Sequence, residues 1–191
     1  FNDYRQKMND KILSSDNIIL VGCGTSYNAC LFSQSFWANF CNFKNIIVID
    51  ACNYSESLIP KNSKNVFIFV SQSGETKDLY SVMNKVTGLK IGVINVVESL
   101  IAREVDCGVY MCMGIEKSVA STKVFTAEIL LLILMALYFC DDKLIINRHL
   151  NDLRKLDLLI EKELNNEIKI EHFKNGFILG NCNLYSINSG K

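Results

Sequence analysis

The chain has 191 residues, 49% of them apolar and 21% charged, with 20 Lys and Arg set against 20 Asp and Glu. A composition this close to the globular average excludes disorder over the whole chain, and the length suits one domain with a sizeable core and a short remainder. Zero formal charge argues against a coat for nucleic acid or anionic membrane, and the one proline, Pro60, excludes polyproline or collagen-like architecture.

Residues 1–16 are polar, with no apolar segment of the signal-peptide kind, and a first residue of Phe reads as a piece of a longer protein. Residues 17–21 (N-I-I-L-V) are a β-rich run ending in Gly22-Cys23-Gly24. The spacing of Ala29, Phe32, Phe36 and Phe40 predicts a helix over residues 25–41 with these side chains on its buried stripe, and Tyr27 and Trp37 as packing residues. Further strands are predicted at 45–50, 66–70, 90–96 and 107–113, with a helix from the segment 71–76 to about Lys85. A long helix over 119–140 follows the loop 114–118. Its apolar run, residues 129–140, falls well short of the roughly 20 residues that cross a membrane, so it reads as a core helix.

Residues 141–165 predict one amphipathic helix with Ile146, Leu150, Leu153, Leu156, Ile160 and Leu164 on one face. Residues 166–175 are polar and helix-like, and 176–180 (G-F-I-L-G) read as another strand.

Near-continuous apolar runs mark strands covered on both faces, and strand–helix repetition marks an α/β fold: a three-layer, doubly wound, five-stranded parallel sheet. We expect one domain over 1–165, its core at about 16–141, with 166–191 a linker that has too little chain after its strand to seed a second domain.

In such a sheet ligands bind where strand ends meet helix N-termini. Three junctions share one composition: Cys23-Gly24-Thr25-Ser26, Ser71 to Thr76, and Ser118-Val119-Ala120-Ser121-Thr122-Lys123. Each offers hydroxyls, free N–H groups and a helix-dipole end, a combination suited to phosphate on a polyhydroxylated molecule. Ser71, Ser73 and Thr76 are expected to converge with the amides around Gly74, whose missing side chain leaves room for an anion. Ser and Thr commonly cap helices and do nothing more, but three such loops at matched positions point to a ligand. Glu75 reads as a first-turn carboxylate complementing the dipole of its own helix. Lys123 is open between a phosphate contact and a solvated surface lysine, and His149 and His172 read as surface residues.

The eight cysteines include no C-x-x-C pair, and with two histidines the spacing supports no zinc site. Most read as small core hydrophobes in a reducing compartment, and no cofactor or metal is expected. A rival reading takes Gly22-x-Gly24 with Asp50 as a dinucleotide fingerprint. Tyr27 stands where its third glycine belongs, the Ser71–Thr76 cluster is left unexplained, and no P-loop is present.

The ordered set C-G-T-S-Y (residues 23–27), S-Q-S-G-E-T (71–76) and V-A-S-T-K (119–123), followed by Phe125-Thr126, resembles the SIS (sugar isomerase) family. More narrowly it is similar to the isomerase part of the glutamine–fructose-6-phosphate aminotransferases, best over about residues 18–140. The resemblance implies flavodoxin-like winding and a sugar-phosphate site. Ser71, Gln72, Ser73 and Thr76 would hold the phosphate, Thr25 and Ser26 would contact phosphate or sugar, and Val119 with Ser121 would line the sugar. In that family, ammonia from a separate glutaminase domain aminates fructose 6-phosphate. A lysine Schiff base and a glutamate base in a second SIS unit then isomerise the product to glucosamine 6-phosphate. Gly180-Asn181-Cys182 departs from the family's usual G-R-G, and Lys117-Ser118 is a milder departure.

The resemblance therefore implies a fructose 6-phosphate-binding unit of the hexosamine pathway, with no catalytic residue of its own. It also implies that 166–191 hold the start of a truncated second SIS unit and that a cytoplasmic homodimer pairs through SIS units. The balanced charge leaves no nucleic-acid or membrane partner expected. The alternative is a non-catalytic SIS sensor that binds a sugar phosphate to regulate a partner.

Overall fold

The computed structural model describes residues 2–114, 122–165, 175–180 and 183–188. The chain divides into two compact units, residues 1–147 and 148–191. The first unit opens with α1 (Asn2–Leu13), a helix the polar sequence did not advertise; its Ile12 is buried. Next come β1 (Asn17–Gly22), α2 (Thr25–Phe40), β2 (Asn45–Asp50), two short 3-10 turns (Ala51–Asn53 and Glu56–Leu58) and β3 (Asn65–Ser71). They are followed by α3 (Lys77–Lys85), β4 (Leu89–Ile94), α4 (Leu100–Glu104), β5 (Cys107–Tyr110) and α5 (Lys123–Tyr138).

The five strands form one sheet in the order β2-β1-β3-β4-β5, every pairing parallel. This is the flavodoxin-like winding, and it places the switch point between β1 and β3. All six positions of β1 are buried, as the continuous apolar run requires of a central strand, whereas edge strand β5 is largely exposed.

Alternate side chains of the central strands feed two cores. Ile18, Leu20, Val66 and Ile68 pack with Cys30 and Trp37 of α2 and Leu132 and Ala136 of α5. Ile19, Val21, Phe67 and Phe69 pack with Leu79, Val82 and Met83 of α3 and Ile101 of α4. Helices on both faces follow from right-handed crossovers on either side of β1 and β3.

The buried stripe of α2 differs from the expected one. Ser26, Ala29, Cys30, Ser33 and Trp37 form it, while Phe32 is 54% exposed. Phe32, Phe36 and Phe40 instead contact one another in series along the flank, one pair tilted and the next edge-on, with centroids 5.9 and 5.7 Å apart. Small side chains let α2 lie close against α5 and the sheet, where a row of phenyl rings would not fit. Trp37 is fully buried, its ring 6.2 Å from Phe139.

The single helix expected over 141–165 is two: α6 (Lys143–Leu153) and α7 (Leu156–Leu164). A tight turn separates them, with Lys155 N–H donating to the Asp152 carbonyl at 3.1 Å, and no Gly or Pro marks it in the sequence. The predicted strand at 176–180 is β6 (Asn175–Gly180), which pairs antiparallel with β7 (Asn183–Asn188). Among the described residues, no helix is long and apolar enough to cross a membrane.

Candidate functional site

The carboxyl ends of β1 and β3 open into a cleft of about 200 Å3 lined by Cys23, Thr25, Ser26, Val70, Ser71, Gln72, Ser73 and Thr76. The fold thus brings together six of the eight residues singled out from the sequence; the other two, Val119 and Ser121, lie outside the described residues. A larger hollow of about 390 Å3 lies by Tyr54, Pro60, Asn65 and Lys85, near the amino end of β3. We favour the smaller cleft, because strand carboxyl ends at the switch point meet helix N-termini and amino ends do not.

Two helix starts shape the cleft. At β1, a Cβ on Gly22 would lie 2.7 Å from Tyr27 N and 2.8 Å from the Ser26 carbonyl carbon, so only glycine lets the strand turn this tightly into α2. Gly24 caps α2 with no side-chain hydrogen bond, and Thr76 caps α3 equally without one. Simple capping by Ser and Thr, the bland reading of these loops, therefore does not occur at either helix. Both N-termini present their dipole ends with no side-chain acceptor bound to them.

The hydroxyls are not equivalent. Ser71, buried at the end of β3, accepts from Gly74 N–H at 2.9 Å and lies 3.4 Å from Thr76 Oγ1. Ser73 Oγ accepts from Glu75 N–H at 3.2 Å. Both use a lone pair in the loop and keep the hydroxyl proton for a ligand or a neighbour. Ser26 does the reverse: its Oγ donates to Glu128 Oε1 at 2.7 Å, within the protein. Glu128, on α5 and 1% exposed, is a residue the sequence reading missed, since a carboxylate just before the apolar run of a core helix reads as the edge of that run. It stands near Cys30, whose thiol is pushed well up by burial first and by Glu128 second.

One further expectation is corrected and another gains a second reason. Glu75 does not serve its own helix: its Oε1 accepts from Leu100 N–H at 2.8 Å, at the start of α4, which turns the only carboxylate of the 71–76 loop away from the cleft. Gly74 is needed for packing as much as for room, because it holds φ +66° and its Cβ would overlap the Ser99 hydroxyl. Asn95, unremarked in the sequence, donates to the Gly114 carbonyl at 2.8 Å and accepts from Met113 N–H at 2.9 Å. It thereby fixes the chain entering the third loop. Lys123 opens α5 on the exposed side, His149 lies half-buried on α6, and His172 is outside the described residues.

Asp50, the residue the rival dinucleotide reading needs, does not line the cleft. Its two oxygens accept from Cys52 N–H at 3.1 Å and Asn53 Nδ2 at 2.9 Å, closing the 3-10 turn after β2. Cys23, at the cleft edge, has its thiol pushed up to about 12, by burial first and by the neighbouring Cys52 next.

A doubly wound parallel sheet, with a cleft at its switch point and two helix starts without side-chain caps facing it, defines an α/β domain of the flavodoxin-like class. The chain belongs to the SIS domain family, whose model matches residues 11–138. It is 47% identical over 125 residues to an Acanthamoeba polyphaga mimivirus protein named as a probable glutamine–fructose-6-phosphate aminotransferase (isomerizing), a match covering 64% of this chain and 21% of that protein. It is 33% identical over 177 residues to glutamine–fructose-6-phosphate aminotransferase (isomerizing) 1 of Rattus norvegicus, covering 85% and 26%. The chain thus spans about a fifth to a quarter of the length of these relatives, as a homologue of their isomerase part. Among solved structures, the C-terminal domain of glucosamine-fructose-6-phosphate aminotransferase from Francisella tularensis superposes with a TM-score of 0.75 at 24% identity. That match covers 82% of this chain and 46% of that one.

Proposed function

We propose that the chain is the substrate-binding SIS unit of a glutamine–fructose-6-phosphate aminotransferase that makes glucosamine 6-phosphate for the hexosamine pathway, and that its cleft binds fructose 6-phosphate. Ser71, Gln72, Ser73 and Thr76 hold the phosphate together with the N–H groups at the start of α3. Thr25 serves at the start of α2. Ser26, whose proton goes to Glu128, uses its remaining lone pairs to accept from a sugar hydroxyl. Val119 and Ser121 line the sugar. One observation carries this reading: two helix N-termini without side-chain caps meet at a hydroxyl-lined cleft with no carboxylate in its wall.

We assign no catalytic group to this chain. The ammonia-releasing step belongs to a glutaminase domain and the isomerising step to a second SIS unit of the full-length protein, with residues 1–165 one SIS unit and 166–191 leading into the next. A homodimer paired through SIS units completes the assembly. Seven free cysteines among the described residues fit a reducing cytoplasm.

Calorimetry with fructose 6-phosphate, fructose and NAD tests the assignment. The phosphorylated sugar is expected to bind, and neither fructose nor NAD at millimolar concentration. Equal binding of fructose and its phosphate, or stabilisation by NAD alone, defeats it.

A further inference from the structure

We propose that Cys23, Asp50 and Cys52 form a binding site for a thiophilic divalent cation of the Zn2+ type, beside the cleft and distinct from its phosphate loop. Sequence spacing hides this site, because the two cysteines follow different strands. The parallel register pairs Gly22 with Asp50, so the residues just after β1 and β2 emerge side by side. The sulfurs lie 3.9 Å apart, and one ligand atom from each of the three residues lies within 4.8 Å of the others.

Two thiolates on a tetrahedral zinc, each at a bond length of about 2.3 Å, stand about 3.8 Å apart. The observed separation is therefore close to what the cation requires before any side chain moves. The hydrogen bonds from Cys52 N–H and Asn53 Nδ2 to the two Asp50 oxygens fix the carboxylate's orientation, as outer-shell partners of metal ligands do. A second carboxylate stands by: Asp78 Oδ2, in the first turn of α3, is 3.6 Å from Cys52 Sγ. Among the described residues, no lysine or arginine forms an ion pair with Asp50 or Asp78. Cys52 is exposed and gives the cation a path from solvent.

The same pair could be read as a disulfide switch. Two flanking carboxylates disfavour the thiolate that disulfide chemistry needs, whereas a cation stabilises it. Binding releases both thiol protons to solvent. Two thiolates and one carboxylate against a divalent cation leave the same single negative charge that Asp50 carries with both thiols protonated. Hexose-phosphate affinity is therefore expected to stay constant on loading, so this proposal and the sugar-phosphate assignment fail separately.

Titrating the reduced chain anaerobically with Co2+ is expected to give a thiolate charge-transfer band and tetrahedral d–d bands at one equivalent, both erased by Zn2+. Cys52→Ser and Asp50→Asn, checked for folding by circular dichroism, are expected to weaken Zn2+ binding at least about tenfold. Cys112→Ser, at an exposed thiol elsewhere, is expected to leave it unchanged. Absence of the charge-transfer band, undiminished affinity in Cys52→Ser, or failure of Zn2+ to protect Cys23 and Cys52 together from alkylation overturns the proposal. So does a reduced chain that forms a Cys23–Cys52 disulfide in air equally fast with and without Zn2+.

Discussion

The loop after β1 and the loop after β3 each carry a glycine, hydroxyls and a helix start without a side-chain cap, yet they handle their hydroxyls in opposite ways. Ser26 donates its proton to the buried Glu128, and Gly22 packs against the backbone of the helix it leads into, so the first loop is locked to the core. Ser71 and Ser73 accept from backbone N–H groups and leave their protons for a ligand, so the second loop keeps its donors at the cleft. One loop is fixed to the core, and the other keeps hydroxyl protons available at the cleft. A motif of small polar residues can thus be structural or functional according to which way each hydroxyl donates.

The glycines give the largest expected effects. Gly22→Ala sets a methyl against backbone that cannot yield without moving α2, and is expected to cost about 3 kcal/mol of stability. Gly74→Ala combines a left-handed backbone with the Ser99 side chain, which can turn away in part, so about 2 kcal/mol is expected. Urea denaturation of both variants checks the order. A reversed ranking would mean that the β1 loop is the softer of the two.

The serines sharpen the contrast. Ser73→Ala is expected to weaken fructose 6-phosphate binding by roughly 1.5–3 kcal/mol, through loss of a donor to a charged group, with stability nearly unchanged. Ser26→Ala leaves Glu128 short of a hydrogen bond, so its roughly 1–3 kcal/mol is expected in stability first. Calorimetry and denaturation on each variant separate the two. Losses of the same kind in both would erase the distinction between the loops.

Alkaline pH acts on the first loop and its helix. The thiols of Cys23 in the loop and Cys30 on α2 are raised by burial, Cys23 from an ordinary 9.0 to about 12. Between those values the unfolded chain has lost thiol protons that the folded chain retains, so stability falls as pH rises above about 9 and is unaffected below it. Cys23→Ser is expected to flatten that decline when denaturation midpoints are followed from neutral pH to about pH 10. An unchanged slope would remove Cys23 from the account. The smallest effect is expected from Asp50→Ala: sugar-phosphate affinity within about 0.5 kcal/mol of the original, because Asp50 closes a turn and does not line the cleft.

Much of the fold was legible. The apolar runs place β1, β2, β3 and the start of β5 within a residue of where they lie, because central strands covered on both faces leave a dense local signal. The polar α1, the five-residue α4 and the break between α6 and α7 left no such mark. The stripe on α2 was misread because phenylalanines carry the stronger hydrophobic signal, while close packing selected the small side chains beside Trp37.

The sequence by itself determined the alternation of strands and helices and which loops follow the strands, since periodicity and the composition of strand-to-helix junctions are local properties. The flavodoxin-like strand order came to the reading only through the family resemblance. Only the tertiary structure decided what each polar group does there. That Ser26 faces a buried Glu128 about a hundred positions away, that Glu75 serves α4, and that Cys23 meets Cys52 all depend on strand register and helix packing. No local pattern encodes such distances, because hydrogen bonds and metal-ligand geometry act over a few ångströms of space and are indifferent to separation along the chain.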